Sequence, residues 1–483
     1  MSAARTVVVG GGIAGLAAAY RCAQRGDDVT VVESASALGG KLVSHVVDGL
    51  TLDAGAESLL ARRPEGLDVI AASGRSGDVV HPATSGAGLW LDELTELPRQ
   101  QLLGIPSDTG DPDLLAVLGE DAVARLTNEP PLGATMPSDM TVAELVGGQL
   151  GDAVVARLVE PLLGGVYAGR ADQISVDAAL PGLLDQVARA GSLVAGAAAI
   201  RARSTGEGPV FASVVGGLGS LPRSLASASG ANVMTSTRAI ALGPSTHRNG
   251  STSPPEPPMV GDHARLDEGG WAVTVEDADG RSAVRTLGAD RVVVAVPGFA
   301  AAPLLAPVAR VAATTASALD YATVALITAV FDARSVTADL NGTGFLVPPA
   351  TGRLTKAATF VSRKWQWVAE AAPGREVLRF SVGRHGDQRG IGLSDADLTA
   401  AVIDEVTGLL GLTGAPRATA VTRWGRSLPQ YRVGHRERVT RARASLPPGI
   451  AVAGAAWDGV GIPACIASGW AAADRVAGIE SHG

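Results

Sequence analysis

Thr6-Val7-Val8-Val9-Gly10-Gly11-Gly12-Ile13-Ala14-Gly15 opens the chain, and Val29-Thr30-Val31-Val32-Glu33 follows it after one helix length. The first run reads as a buried strand entering a glycine turn. Apolar periodicity then predicts a helix from Ile13 to Arg25, stopped at Gly26, with a second strand over Val29–Val32. This is the opening βαβ unit of a doubly wound α/β fold. Gly10 permits the tight bend, Gly12 lets backbone approach a pyrophosphate, and Gly15 lets the helix lie close to the strand. Gly11, Ile13 and Ala14 complete the turn, whose helix amino end faces the phosphates with its positive dipole. Glu33 ends the second strand, where its carboxylate can accept ribose hydroxyls. Together these features point to a bound dinucleotide.

The rest of the 483 residues cannot be further copies of this unit. Regular βα alternation stops after Leu38-Gly39-Gly40-Lys41, and shorter strands such as Gly49 to Asp53 take over. A capping box at Thr141-Val142-Ala143-Glu144 and apolar spacing through Val154, Leu158, Leu162 and from Leu183 to Ile200 predict a helical insertion. Strands are expected at Val210–Val214, Ala231–Met234, Trp271–Val275 and Arg291–Val296, completing the nucleotide domain, with a disordered hairpin extension between Gly243 and Gly270. A second excursion carries strands Val324–Phe331 and Glu376–Val382 and a helix Asp395–Leu410. The expected organisation is a discontinuous dinucleotide-binding domain (1–60, 206–297 and 425–483), a mixed α+β substrate domain (61–110 and 298–424) and a helical insertion (111–205).

Composition narrows the function classes. A net charge of -8 and a pI near 5.5 argue against a general nucleic-acid or anionic-membrane surface, while leaving room for a locally basic pocket. Lysine is confined to Lys41, Lys356 and Lys364, a bias that suggests a GC-rich genome. Cys22 and Cys465 fall in helical segments without metal-ligand spacing and read as buried free thiols. The start lacks a signal-peptide pattern and no run of about 18 apolar residues occurs, so a soluble cytoplasmic protein is expected. The seven histidines show no ligand spacing, and neither HExxH nor GxSxG is present, so no metal and no catalytic triad are expected.

Three further segments select FAD over NAD. Gly39-Gly40-Lys41 follows the acidic residue at short range, suited to fold over a ribityl chain. Asp53-Ala54-Gly55-Ala56-Glu57-Ser58 offers backbone amides and small residues to a flat ring. Strand Ile450–Ala453 runs into Gly454-Ala455-Ala456-Trp457-Asp458-Gly459-Val460-Gly461-Ile462, aiming another helix amino end where a reduced isoalloxazine carries negative charge.

The chain resembles the oxygen-dependent protoporphyrinogen and coproporphyrinogen oxidase family of heme biosynthesis over nearly its whole length. The specific stretches are Glu160-Pro161-Leu162-Leu163-Gly164-Gly165-Val166-Tyr167-Ala168-Gly169, Gly216-Gly217-Leu218, Gly344-Phe345-Leu346-Val347-Pro348, Arg423-Trp424 with Leu428-Pro429-Gln430-Tyr431, and the carboxy-terminal segment above. The resemblance implies an amine-oxidase or p-hydroxybenzoate-hydroxylase type flavoprotein fold. It also implies removal of six electrons from a porphyrinogen in three two-electron steps, with oxygen reduced to peroxide. The phrasing of the motifs resembles the Gram-positive branch, which implies coproporphyrin III as product, with a transient contact to the next heme-pathway enzyme. By the same likeness Gly10 to Gly15, Glu33, Ser34, Gly40, Lys41, Gly55 to Ser58, Ala239, Ala455, Trp457 and Val460 to Ile462 would contact FAD. Tyr167, Gly169 and Leu346 would lie on the substrate side. One departure stands out: some family members carry an arginine, a propionate partner, where this chain has Thr84-Ser85-Gly86-Ala87.

A porphyrinogen is a large apolar disc with carboxylates, which calls for an apolar pocket with a basic mouth. Arg353, Lys356, Arg363 and Lys364 lie in one stretch without an acid. They form either a substrate rim or, more commonly for such a stretch, a solvated hairpin. Tyr167 either lines the ring pocket or caps a helix end, while Trp365 and Trp367 are expected in packing. The alternatives are a protoporphyrinogen IX oxidase, an amine oxidase, a carotenoid desaturase, or a non-enzymatic binding protein like the GDP-dissociation inhibitors. An amine oxidase would usually frame the flavin with an aromatic pair, which Trp457 alone does not make.

Overall fold

The computed structural model describes residues 3–132, 136–204, 208–245, 270–280 and 284–479. Its centre is a five-stranded parallel sheet in the order Asn232–Met234, Asp28–Val32, Arg5–Val9, Arg291–Val294, Ile450–Val452. The inner strands are continuous valine runs because both faces are covered, so neither face needs polar residues. The chain leaves Arg5–Val9 first to Asp28–Val32 on one side and later returns to Arg291–Val294 on the other, and a crevice opens beyond the carboxyl ends at such a switch point.

One face of the sheet carries the helices Ile13–Ala23 and Ile462–Val476. A Cβ on Gly469 would come within 2.2 Å of the Ala14 carbonyl oxygen, so the helices cross backbone to backbone. Ala17, Ala18 and Ala19 are fully buried at this contact layer. The first helix ends at Ala23, two residues short of the expected Arg25, and Gly26 supplies the positive φ that turns the chain. Cys22 and Cys465 sit in these two helices as free thiols, and burial pushes both up to about 11, which keeps them unreactive.

The other face carries an antiparallel meander of Thr237–Pro244, Trp271–Asp277 and Arg285–Ala289. The expected strand at Trp271 therefore lies in this layer. The expected hairpin extension between Gly243 and Gly270 falls mainly on residues 246–269, which lie outside the described residues. Phe211–Val214 pairs with Leu59–Leu60 and Val79–Val80 in a small separate sheet.

A seven-stranded mixed sheet follows the order Ala418–Pro429, Tyr321–Asp332, Arg375–Val382, Thr355–Phe360, Gly344–Leu346, Gly88–Trp90, Leu94–Glu96. Helix Asp395–Leu410 covers one face through Leu398, Val402, Val406 and Leu410, a stripe at helical spacing. The opposite face turns toward the nucleotide-binding layer, since Arg379 reaches the carbonyls of Asp53 and Gly55 and Trp424 reaches that of Ala54. Helices between Asp113 and Ser204 form the third layer, with the expected capping box at Thr141 and Glu144 in place. Among the described residues no helix is long and apolar enough to cross a membrane.

Gly469→Val forces a side chain into the Ala14 carbonyl, and overpacking of this kind costs about 2 kcal/mol. Denaturant unfolding should show that loss. Wild-type stability in the variant would mean that the two helices do not touch as described.

Candidate active site

The glycines of the first turn divide by what faces them. A Cβ on Gly10 would lie 2.6 Å from the Ala295 carbonyl oxygen, and one on Gly15 would lie 1.9 Å from that of Gly10. One on Gly11 would lie 2.4 Å from the Leu38 side chain. At Gly12 nothing lies within 4 Å. The first two glycines are thus required by packing, whereas Gly12, the N-cap of the first helix, fronts open space where a phosphate can meet backbone. Gly39 donates to the Gly11 carbonyl (2.9 Å), which folds Gly40 and Lys41 over the turn, with Lys41 exposed and Leu42 buried beneath it.

Glu33 closes this end. Its Oε2 accepts from the Gly11 amide (2.7 Å), and its Oε1 accepts from the Ala35 amide (2.7 Å) and the Ser34 hydroxyl (3.3 Å). The carboxylate is held half-buried at the strand tip with lone pairs left for a ligand hydroxyl. Thr237 donates to the Glu33 carbonyl (2.9 Å), which brings Ala239 of the meander to the same end.

The loop Asp53–Ser58 is built on buried charge. The Asp53 carboxylate accepts from the amides of Leu218 (3.0 Å) and Gly219 (2.9 Å), which gives the Gly216-Gly217-Leu218 segment its role. Burial pushes Asp53 up to about 6, with the two amides opposing. Glu57 is buried between Lys364 (2.7 Å) and Arg379 (2.8 Å). Burial acts to raise Glu57, yet the two cations hold it below the usual carboxylate range. A Cβ on Gly55 would lie 2.0 Å from the Lys41 carbonyl, and Ala56 donates to that same carbonyl (3.1 Å), so the two loops are locked together while Ser58 remains half-exposed.

At the carboxy-terminal segment, Gly454, Gly459 and Gly461 all have positive φ, which the sharp strand-to-helix turns require. Nothing lies within 4 Å of a Cβ on Gly461, and the helix that starts at Ile462 has no acid in its first turn. This second open amino end suits an anionic ring edge. Trp457 is buried in the core beneath the meander, while Val460 turns outward and packs with the helical layer.

The substrate-side residues divide into two groups. Tyr167 ends helix Glu160–Tyr167 and is buried edge-on against Tyr431, with ring centroids 5.7 Å apart. It both lines an interior surface and closes the helix, because its carbonyl accepts from Gln430 (2.9 Å). A Cβ on Gly169 would lie 2.6 Å from the Gln430 side chain. Leu346 faces Gly165 of the same helix and shares one apolar cluster with Tyr167 and Val460. Tyr431 donates to the Ala455 carbonyl, tying this cluster to the carboxy-terminal segment, and stacks on His435 at 4.4 Å.

The basic stretch does not behave as one unit. Lys364 is committed to Glu57 and Arg363 to Glu376 (3.0 Å), while Arg353 stacks on Trp90 (4.0 Å) and Lys356 is buried under helix Glu160–Tyr167. Neither a common rim nor a solvated hairpin describes these four residues. Arg353 precedes strand Thr355–Phe360, Lys356 lies in it, and Arg363 and Lys364 lie in the short helix Val361–Lys364, so changes of element and partners on distant elements separate them. Trp365 and Trp367 pack in the cluster around Val361 and Val368, as expected. Arg379 is the residue that sequence reasoning missed: it lies more than 300 residues from the loop it braces, and no local pattern marks it.

The flavin containing amine oxidoreductase family matches residues 13–477. The chain belongs to that family. It is an FAD-dependent oxidoreductase, and the open backbone at Gly12 and Gly461 fits such a cofactor. Coproporphyrinogen III oxidase of Mycobacterium tuberculosis is 35% identical over 95% of this chain and 94% of that protein. The protein of the same name from Bacillus subtilis is 29% identical over 96% of both. A crystal structure of a putative protoporphyrinogen oxidase from Exiguobacterium superposes with a TM-score of 0.80, at 31% identity over 99% of each chain. Putrescine oxidase shares the fold, at a TM-score of 0.64 and 15% identity over 98% of this chain and 99% of that one.

Two outcomes follow from this geometry. Gly12→Leu should fold, since a Cβ there meets no protein atom within 4 Å and the φ of -74° suits any residue, yet purify without flavin absorbance; full FAD content would contradict the role given to Gly12. Burial, reinforced by Arg438 and opposed by Asp458 and Asp139, pushes the His435 imidazole from 6.5 down to about 4. A histidine kept neutral in the fold stabilises above its unfolded value, and that contribution is lost as pH falls from 6.5 through about 4. His435→Phe keeps the stacked ring and should remove about 3 kcal/mol of the acid-induced loss seen in wild type. Urea unfolding from pH 7 to pH about 4 checks this, and parallel curves for the two proteins would refute it.

Proposed function

We propose that this chain oxidises coproporphyrinogen III to coproporphyrin III. The observation that carries the reading is the 35% identity to the mycobacterial coproporphyrinogen III oxidase over 95% of the chain. The clustering of Tyr167, Leu346 and Val460 supports it, because an apolar surface joined to the flavin segment suits a large apolar disc. Bound FAD supplies the two-electron acceptor. Gly12 and Glu33 hold its adenosine half, with Ser34 and Ala239 alongside. Gly40, Lys41, Gly55 to Ser58, Ala455 and Val460 to Ile462 hold its flavin half. Tyr167, Gly169 and Leu346 orient the macrocycle so that a meso carbon faces the acceptor. No strong acid or base is needed from the protein, since aromatisation drives loss of hydride and proton.

Oxygen as terminal acceptor, a cytoplasmic location and transfer of product to the next heme-pathway enzyme complete the reading, each on resemblance alone. Per molecule the substrate loses six electrons and six protons, which three oxygen molecules take up as three hydrogen peroxide. Protoporphyrinogen oxidase 1 of Arabidopsis thaliana is also similar, at 26% identity over 97% of the chain, and keeps protoporphyrinogen IX as the second reading.

Supplying each freshly reduced porphyrinogen in air separates the two. Coproporphyrin fluorescence should rise faster, with peroxide in the stated ratio and with full dependence on bound FAD. Markedly faster oxidation of protoporphyrinogen IX would transfer the assignment to that substrate.

A further inference from the structure

Lys356 is 4% exposed and Arg384 is 6% exposed. Lys356 lies at an irregularity in strand Thr355–Phe360, and Arg384 follows strand Arg375–Val382. Arg384 Nη2 donates to the Val347 carbonyl (2.7 Å), and the Val347 amide donates to the Lys356 carbonyl (2.9 Å), so both residues meet at one corner of the seven-stranded sheet. Helix Glu160–Tyr167 packs over that corner.

Among the described residues neither cation forms an ion pair. Among the described residues the only charge acting on Lys356 is that of Arg384, and Arg384 Nε is buried without a partner. Asp387, Glu160 and Glu405 favour the Arg384 charge from a distance, but none of them pairs with it directly. Glu160 accepts from the Ala171 amide (2.8 Å), Asp387 accepts from Arg389 (2.7 Å), and Glu405 accepts from the amides of Leu354 (2.7 Å) and Thr355 (2.8 Å). Burial, then Arg384, pushes the Lys356 ammonium down to about 7, and burial lowers Arg384 as well. A buried lysine with no acid acting on it, beside an arginine that has no direct ion pair, is unfavourable in protein interior, and an entering anion would relieve both.

The corner adjoins the apolar cluster described above. Leu346 precedes Val347 and faces Gly165, and the His385 amide donates to the Ala168 carbonyl (2.6 Å), setting Arg384 beside the Tyr167–Gly169 segment. An apolar surface flanked by a paired cation site matches a disc that carries carboxylates at its edge. We propose that Lys356 and Arg384 form an internal carboxylate site that binds one carboxylate of the porphyrinogen. This rests on the porphyrinogen reading.

The test uses FAD-loaded wild type, Lys356→Met, Arg384→Gln and Arg384→Lys, each checked for flavin content and melting temperature. Binding of coproporphyrin III, followed by porphyrin fluorescence, should weaken about tenfold in the first two variants and recover largely in Arg384→Lys. Binding of the tetramethyl ester, which has no carboxylate, should not change. Wild-type affinity for coproporphyrin III in Lys356→Met and Arg384→Gln overturns the proposal, as does an equal loss of ester binding. If wild type neither binds nor oxidises any porphyrin, the function reading fails by itself. The anion site is then judged by sodium propionate against sodium chloride at matched ionic strength. Propionate should raise the melting temperature of wild type and not of Lys356→Met, and no difference between salts sinks the site too.

Discussion

The carbonyl of Ala14 lies 2.2 Å from where a Cβ on Gly469 would stand, and this bare-backbone crossing holds the first and the carboxy-terminal helices side by side. Both helices follow strands of the same parallel sheet, so both amino ends open on the same edge. Neither carries an acidic residue in its first turn that would cancel its positive end. One crevice therefore receives two oriented dipoles, at Gly12 and at Gly461, and an extended anionic cofactor can lie along both. Wider spacing between the helices would separate these two ends, so the arrangement depends on glycine where the helices touch.

The second layer is attached to that crevice by buried polar groups as well as by the apolar packing of Val47, Leu50 and Leu52 against Val330, Val361 and Trp365. Arg379 reaches from the seven-stranded sheet to the carbonyls of Asp53 and Gly55, Trp424 reaches the carbonyl of Ala54, and Lys364 reaches Glu57. A carboxylate enclosed with two cations stays ionised and directional, so the loop Asp53–Ser58 is fixed in orientation as well as position. Removing one partner would strand the others in low dielectric, which makes this joint intolerant of single changes. Tyr431 does the same for the helical layer through the Ala455 carbonyl, and its ring is supported on both sides by Tyr167 and His435.

Two groups of buried charge thus contrast. Around Glu57 the opposite charges are matched within the protein and serve architecture. Among the described residues Lys356 and Arg384 form no direct ion pair, and they lie beside the apolar surface formed by Tyr167, Leu346 and Val460.

How far this was legible in the amino-acid order follows from the range of each interaction. The βαβ unit, the stop at Gly26, the capping box at Thr141 and the helix Asp395–Leu410 depend on neighbours within a few residues, and local patterns predict them. The glycines at 10, 12 and 15 were readable as a motif at fixed spacing, although the atoms that exclude a Cβ at Gly10 belong to distant Ala295 and Val296 and none excludes one at Gly12. Other features depend on pairings across hundreds of residues: the crossing at Gly469, the bond from Arg379 to Gly55, and the burial of Lys356 and Lys364. A run such as Arg353 to Lys364 looks uniformly basic in sequence, but the change from strand to helix at Val361 and distant partners send its members into different environments. The sequence by itself determined that a dinucleotide meets bare backbone at Gly12, since that is local geometry. Only the tertiary structure decided which cations are spent on internal carboxylates and which remain unpaired, because burial and counter-charge are properties of the packed chain.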